Sequence, residues 1–390
     1  MRVRVALLAA WCAACAWLAR GPDLAGARIR ELRLALAANG SLQAEGLRLC
    51  PGEAAPLVAT AVLVDGSELV TQGAGKGTVP WSSFRAAVQR AEVDNGVVRL
   101  PPDPRVTASA PARVRMEVAG RPDAAAELEI GARHDCGFVA DFRGPSGAPG
   151  ADGAAGSSGV DGVDQKLDFG GAARDYVQES RFHPGYDAPG DAGGDGHQGR
   201  DGGDGQNGSA PAPVEVRATC DREECAALQV EVRSGARTEL YLLDASRGSL
   251  SILAGGGAGG RGGRGGTGGC GGRGGTGAPA GEGGTGGEGG NGGTGGDGGD
   301  GGRVVVIADP KAAPHLSRAL RVDIRGGQGG PRGAAGQGGC GGDRAYAESA
   351  HYRQSHSRPG RAGAPGNRAG APGSDGPEPR IEVSPIPPFW

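Results

Sequence analysis

Residues 258–303 read AGGRGGRGGTGGCGGRGGTGAPAGEGGTGGEGGNGGTGGDGGDGGR, and every third residue from Ala258 to Arg303 is a non-glycine, with no loss of phase. A three-residue period is that of the left-handed extended helix, which rises about 3.1 Å per residue and makes no internal hydrogen bonds. Its backbone must therefore bond to neighbours. Glycine lets those neighbours approach, because a side chain at that position would hold the backbones apart.

The same period recurs outside this stretch, with glycines every three residues from Gly144 to Gly162, from Gly190 to Gly208 and from Gly327 to Gly342. A less pure run extends from Gly360 to Gly376 with a slip around Ala369, and the central run is broken at Gly277-Ala278-Pro279-Ala280-Gly281, which reads as a turn. Splitting there leaves six segments, at 144–163, 190–208, 255–277, 281–302, 326–342 and 360–376. Each would span about 50–70 Å at that rise, so their lengths nearly match. One chain folding its rods back and forth into a bundle accounts for this. A disordered glycine-rich linker is the bland alternative, and the held phase argues against it.

The chain has 390 residues, with 81 glycines and 27 prolines, a composition in the collagen-like or low-complexity range rather than that of a single large apolar core. A formal charge of −3 and the lack of a dense basic run exclude a nucleic-acid partner at this level of reading. Arg2 and Arg4, the apolar stretch Val5 to Leu18 and the small cluster Ala25-Gly26-Ala27 read as an export signal over residues 1–27. The apolar stretch is short for a membrane span. The run Cys12-Ala13-Ala14-Cys15 resembles a lipoprotein cleavage site but lacks the usual leucine. A secreted or cell-surface, extracytoplasmic protein is expected, with a lipid anchor as the alternative to release.

Six cysteines remain after the signal: Cys50, Cys136, Cys220, Cys225, Cys270 and Cys340. An even number in an exported chain reads as disulfides, and six allow 15 connectivities. Cys50 and Cys136 bracket the N-terminal block and could staple its ends. If the rods alternate up and down, the third and fifth run the same way, and Cys270 and Cys340 lie at nearly equal height. A link there would be worth several kcal/mol in the chain-entropy model, roughly 4 kcal/mol for a loop of about 70 residues.

Residues 28–142 have ordinary composition. Alternation in Leu57, Ala59, Ala61 and Leu63 and in Val114, Met116 and Val118, with turns at Asp65-Gly66 and Asn95-Gly96, predicts a β-sandwich. The stretch Val79-Pro80-Trp81-Ser82-Ser83, followed by Val93-Asp94-Asn95-Gly96-Val97-Val98, resembles the bacterial immunoglobulin-like repeat. That resemblance implies a buried tryptophan strand before a hairpin and a spacing or adhesive role. The Phe84 to Ala91 connection departs from it by its length.

Within residues 143–390 the connectors between rods carry strand-like alternation at Val214 to Ala218, Leu228 to Val232, Leu240 to Leu243, Leu250 to Leu253, Val304 to Ala308, Leu320 to Ile324 and Ile381 to Val383. These interleaved strands (214–253, 304–324, 381–383) are expected to share one end and build a small sandwich base. The fold expected is therefore mainly β plus a polyglycine-II-type helix bundle: an N-terminal immunoglobulin-like sandwich, then a base carrying about six packed left-handed extended helices. The charges on the third rod (Arg261, Arg264, Arg273) and the fourth (Glu282, Glu288, Asp297, Asp300) are expected to face each other across the turn at Pro279.

The opposite end would collect Asp164 to Pro189 and Asp343 to Pro359. These carry Phe169, Tyr176, Phe182, His183, Tyr186, Tyr346, His351, Tyr352 and His356, aromatic side chains amid small and charged residues, as on recognition surfaces. The plainer reading is a plug that closes the rod ends.

Other motifs carry little. GxGxxG matches follow no strand and open no helix, the Gly-Asp runs lack the apolar residue of a calcium repeat, and His351 and His356 have no zinc-like spacing. Asn39-Gly40-Ser41 and Asn207-Gly208-Ser209 match the glycosylation sequon. No catalytic constellation stands out, so no enzyme, cofactor or metal is expected. The outward charges also fit poorly with an ice-binding face.

The whole chain resembles glycine-rich exported proteins of the myxobacterial kind, from which no activity carries over. The inferred bundle resembles the tip adhesin of certain phage tail fibres, which implies loops presented to a glycan or other cell-surface component. A monomer is favoured. The alternative is a stalk or matrix protein trimerising through collagen-like triplets.

Overall fold

The computed structural model describes residue 24 and residues 26–38, 41–165, 189–277, 280–345 and 368–390. The fold is mainly β. The N-terminal block comprises β1 (Ile29–Ala38), β2 (Ser41–Gln43), β3 (Arg48–Leu49), β4 (Ala54–Leu63), β5 (Glu68–Val70), β6 (Phe84–Gln89), β7 (Glu92–Asp94), β8 (Val97–Arg99), β9 (Ala112–Val118) and β10 (Arg121–Ala132), with a short helix α1 (Pro104–Thr107) between β8 and β9. One sheet runs β2-β1-β4-β8-β7 with β5 on β4; the other runs β3-β10-β9-β6. Alternate residues of β1, β4, β9 and β10 (Leu32, Leu34, Leu57, Ala59, Val114, Met116, Leu128, Ile130) point into one shared core, as a period of two requires.

Two expectations need correction here. Trp81 does not lie in a strand. It sits in a single 3-10 turn, Trp81–Ser83, half-buried at the core margin. Its indole fills the space over the hairpin tip, where a Cβ on Gly96 would come within 2.0 Å of the ring. Asn95 and Gly96 both take positive φ (43° and 76°), as a tight hairpin demands. The long Phe84 to Ala91 connection is itself mostly strand β6, paired with β9. Leu24, assigned by the sequence pattern to the export signal, is 1% exposed in this core, and Ala27 accepts a hydrogen bond from Arg121. Residues 1–23 lie outside the described residues.

The base contains β11 (Gly137–Asp141), β12 (Val214–Cys220), β13 (Ala227–Ser234), β14 (Arg237–Asp244), β15 (Ser249–Leu253), β16 (Val304–Ala308), β17 (Leu320–Asp323) and β18 (Arg380–Val383), with helix α2 (Ala313–Ala319) before β17. All seven strand-like connector segments coincide with strands. The eighth, β11, belongs by sequence to the N-terminal block but pairs in parallel with β15. A five-stranded sheet, β14-β13-β12-β16-β18, and a three-stranded sheet, β11-β15-β17, enclose a second core that includes Val216, Val230, Leu250, Ile252 and Val306. The Cys50–Cys136 disulfide and a hydrogen bond from Asp244 to the carbonyl of His134 (2.8 Å) tie the two sandwiches together.

Six extended glycine-rich rods continue the base strands: rod 1 (143–165), rod 2 (189–209), rod 3 (254–277), rod 4 (280–302), rod 5 (325–345) and rod 6 (368–376). Rods 1, 3 and 5 run straight out of β11, β15 and β17; rods 2, 4 and 6 return into β12, β16 and β18. The parallel ladder of the three-stranded sheet carries on without a break, since Phe142 donates to Leu253, Gly144 to Gly255, and Gly256 to Arg325. At two of these three exits, those of β11 and β17, an Asp-x-Arg unit closes on itself, Asp141 with Arg143 and Asp323 with Arg325.

The odd rods form one row and the even rods a second, antiparallel row. Within a row, glycine N–H groups donate to the next rod, as in Gly150 to Arg261 and Gly199 to Glu288. Between rows, consecutive rods bond antiparallel: Gly203 to Ala151, Gly263 to Gly203, Gly293 to Gly263 and Gly333 to Gly293, each 2.8 Å. The bonds answer the demand that buried backbone groups be paired.

Glycine content follows the number of neighbours. Among the described residues, rods 3 and 4 each bond to four other rods and carry two glycines per triplet; rod 1 bonds to rods 2 and 3 and carries one. At Gly263 a Cβ would lie 1.9 Å from the carbonyl oxygen of Ala151. At Gly203, on the outer side of rod 2, the nearest atom would be 3.3 Å away. His197, Arg200 and Gln206 occupy equivalent positions of rod 2 and still donate to rod 1.

Candidate functional site: the outer faces and free end of the bundle

The third triplet position of each rod points outward, and its N–H group has no rod to bond to. Where an aspartate or asparagine stands on the neighbouring rod, its side chain supplies the acceptor. In rod 1, Gly150 donates to the carbonyl of Arg261 while Asp152, two residues on, accepts from the N–H of Arg264 (2.8 Å). The pair clasps one triplet of the neighbouring rod.

This Gly-x-Asp clasp recurs. Asp161 and Asp164 accept from Arg273 and Thr276 of rod 3. Asp195, Asp201 and Asp204 accept from Thr285, Asn291 and Thr294 of rod 4. Asp297 and Asp300 accept from Ala371 and Ser374 of rod 6. Asn207 takes the same place opposite Asp297, so the side chain of this sequon is already engaged. The N–H bonds hold the carboxyl groups of Asp164, Asp195 and Asp297 below the usual aspartate range, and the Thr294 side chain and N–H do the same for Asp204. The physical cause is hydrogen bonding to the ionised form.

The ladder reassigns the charges. Arg261 and Arg273 of rod 3 lie 3.8 and 3.6 Å from Asp152 and Asp164 of rod 1, and Asp297 of rod 4 pairs with Arg368 of rod 6 at 3.1 Å. The expected pairing of rod 3 arginines with rod 4 acids does not occur, because the outer positions of the two rows face away from each other. One face therefore mixes Arg261, Arg264 and Arg273 with aspartates. The other is acidic, with Asp191, Asp195, Asp201, Asp204, Glu282, Glu288 and Asp300 exposed.

Cys270 and Cys340 are joined on the mixed face, between parallel rods 3 and 5, and Cys220 is joined to Cys225 in the base. Three disulfides fit an oxidising, extracytoplasmic compartment. No helix among the described residues is long and apolar enough to cross a membrane. Among the described residues no group of three or more His, Cys, Asp or Glu is placed to hold a metal ion.

At the end away from the base, Gln165 donates to Thr276 (2.9 Å), Gly190 lies against Gly275, and Ala345 donates to Gly281 (3.4 Å). Residues 166–188 join rods 1 and 2 at this end, and residues 346–367 leave rod 5 from it. The candidate residues Phe169, Tyr176, Phe182, His183, Tyr186, Tyr346, His351, Tyr352 and His356 all lie in these two segments, outside the described residues. The sequence reading missed the clasp. Its signal is aspartate recurring two residues after the in-phase glycine, as in Gly159-Val160-Asp161-Gly162-Val163-Asp164.

Comparison with protein-family models, curated proteins and solved structures finds no match to this chain.

Proposed function

We propose that this chain is an exported, non-enzymatic scaffold in which the glycine rods adopt the left-handed polyglycine-II conformation and hold out the 164–189 and 343–359 segments for adhesion. The ligand class is a glycan or another cell-surface component. The observation that carries the reading is the convergence of the flanking rod ends, at Gln165, Gly190 and Ala345, on the end of the bundle opposite the base. Rods bonded along their length form a stiff mount, and rigid mounts with variable loops are a common recognition design.

The in-chain bonding of rods 1 to 6 supports a self-contained monomer over collagen-like trimers, which would leave those donors for other chains. Two sheets over one core and the Asn95-Gly96 hairpin support an immunoglobulin-like assignment for the N-terminal sandwich, while the placement of Trp81 departs from that family. Replacing residues 166–188 and 346–359 with short Gly-Ser linkers, and assaying retention on glycan arrays and intact cells, is the test. Loss of binding with unchanged thermal unfolding is expected. Binding that survives both replacements contradicts the proposal.

A further inference from the structure

The outer face of β12 and β13 should be wet. Thr219 and Gln229 stand directly opposite each other there, and Arg217 opposite Glu231. Yet Thr219, Gln229 and Glu231 are only 2%, 3% and 8% exposed. They are covered by Ser384–Trp390, which leaves β18 and crosses the sheet at its end away from the rods.

Side chains of the sheet read the backbone of this segment. Asp309 accepts from the N–H of Ile386 (3.2 Å), and the Thr219 hydroxyl donates to the Ile386 carbonyl (2.8 Å). Gln229 accepts from the N–H of Phe389 through Oε1 (2.6 Å) and donates through Nε2 to the main-chain oxygen of Trp390 (3.3 Å). The Arg217 guanidinium sits 5.6 Å from the centroid of the Phe389 ring, within cation–π range. Beside it, Oε2 of Glu231 is buried with no hydrogen-bond donor, 3.5 Å from Arg217.

Buried side chains that satisfy both an N–H and a C=O of an extended segment form a peptide groove, and none of these contacts depends on the segment belonging to the same chain. Pro385, Pro387 and Pro388 favour an extended polyproline-like form before binding, which lowers the ordering cost. The segment is held to the rest of its own chain through β18, an edge strand with all four residues exposed and paired only with β16. Of residues 380–390 only Ile386 is buried. Releasing the segment in one copy and seating it in another exchanges identical contacts, so concentration decides between them.

We propose that the face formed by Arg217, Thr219, Gln229 and Asp309 is a binding groove for an extended Pro-Pro-aromatic peptide, closed here by residues 385–390, and that its partner is the same segment of a second copy of this chain. The test uses two full-length variants. An acceptor carries Ile386→Asp and Phe389→Asp, so its own segment cannot seat; a donor carries Thr219→Val and Gln229→Ala, so its groove cannot hold one. Both are checked for native thermal unfolding, and Phe389→Asp alone replaces the acceptor if the double change unfolds it.

A fluorescent peptide with the sequence of residues 384–390 should bind the acceptor roughly tenfold or more tightly than the unmodified chain, whose tethered segment competes at about millimolar effective concentration. Gln229→Ala in the acceptor background should abolish that binding. Sedimentation should give monomers for each variant alone and a one-to-one complex for the mixture. Failure of the peptide to bind a folded acceptor, or equal binding by the Gln229→Ala form, overturns the groove. Peptide binding without a complex in the mixture overturns the second copy as its partner.

Discussion

At the scale of the residue, the bundle rests on a division of labour between glycine and aspartate. Glycine brings a donor close to the neighbouring rod, and aspartate two residues later satisfies the outward N–H of the next triplet. This device was not legible in advance. Composition supplies the charges but not the face each rod turns outward, so simple sign matching paired rod 3 with rod 4, whereas Arg261 and Arg273 lie beside rod 1. The clasp has a pH consequence. Because Asp164, Asp195, Asp204 and Asp297 are held below the ordinary aspartate value, their contribution is complete above about pH 4 and is lost as pH falls through the lower folded-state values. Asn207 shows that an amide oxygen serves the same position. A variant with Asp195 and Asp204 changed to Asn should keep nearly the native melting temperature at neutral pH and lose less of it between pH 4 and pH 2. The same acid sensitivity in variant and native chain would contradict the clasp.

At the scale of the element, each rod's glycine content reports its number of neighbours. The period of three was plain in the sequence, and so were the seven connector strands, because both are short-range patterns. The parallel run of rods 3 and 5, which brings Cys270 to Cys340, followed from strict alternation of direction. Strand β11 was misassigned because its partner β15 lies more than a hundred residues away, and local alternation does not reveal that. Trp81 was misplaced for a related reason. The motif around it supplied a strand, while the tip glycine at 96 supplied the actual packing surface. The neighbour rule predicts unequal costs for the same substitution. Gly263→Ala, with its Cβ 1.9 Å from a backbone oxygen, should destabilise by about 3 kcal/mol or more. Gly203→Ala, with 3.3 Å of clearance, should change stability by less than about 1 kcal/mol. Calorimetric unfolding of the two variants separates these outcomes, and equal costs would contradict the two-row packing.

At the scale of the whole molecule, the base organises the bundle. Rods have almost no side chains to bury, and each ordered residue costs about 1–2 kcal/mol of backbone entropy, glycine most of all. The base offsets part of that cost by starting or ending every rod on a strand already in register, with the three-stranded sheet leading into one row and β12, β16 and β18 receiving the other. The candidate aromatic residues were legible as a cluster by composition, and the converging rod ends give their segments a common origin. The central claim is that the rods satisfy one another within a single chain. Amide hydrogen exchange, resolved by residue on the oxidised monomer at neutral pH, tests it most directly. Both glycines of each triplet in rod 3, and of the rod 4 triplets that face residues 368–376, among them Gly262, Gly263, Gly298 and Gly299, should exchange slowly, in step with global unfolding. Fast exchange throughout these glycines in the monomer, or protection that arises only in a trimer, would contradict a self-contained bundle.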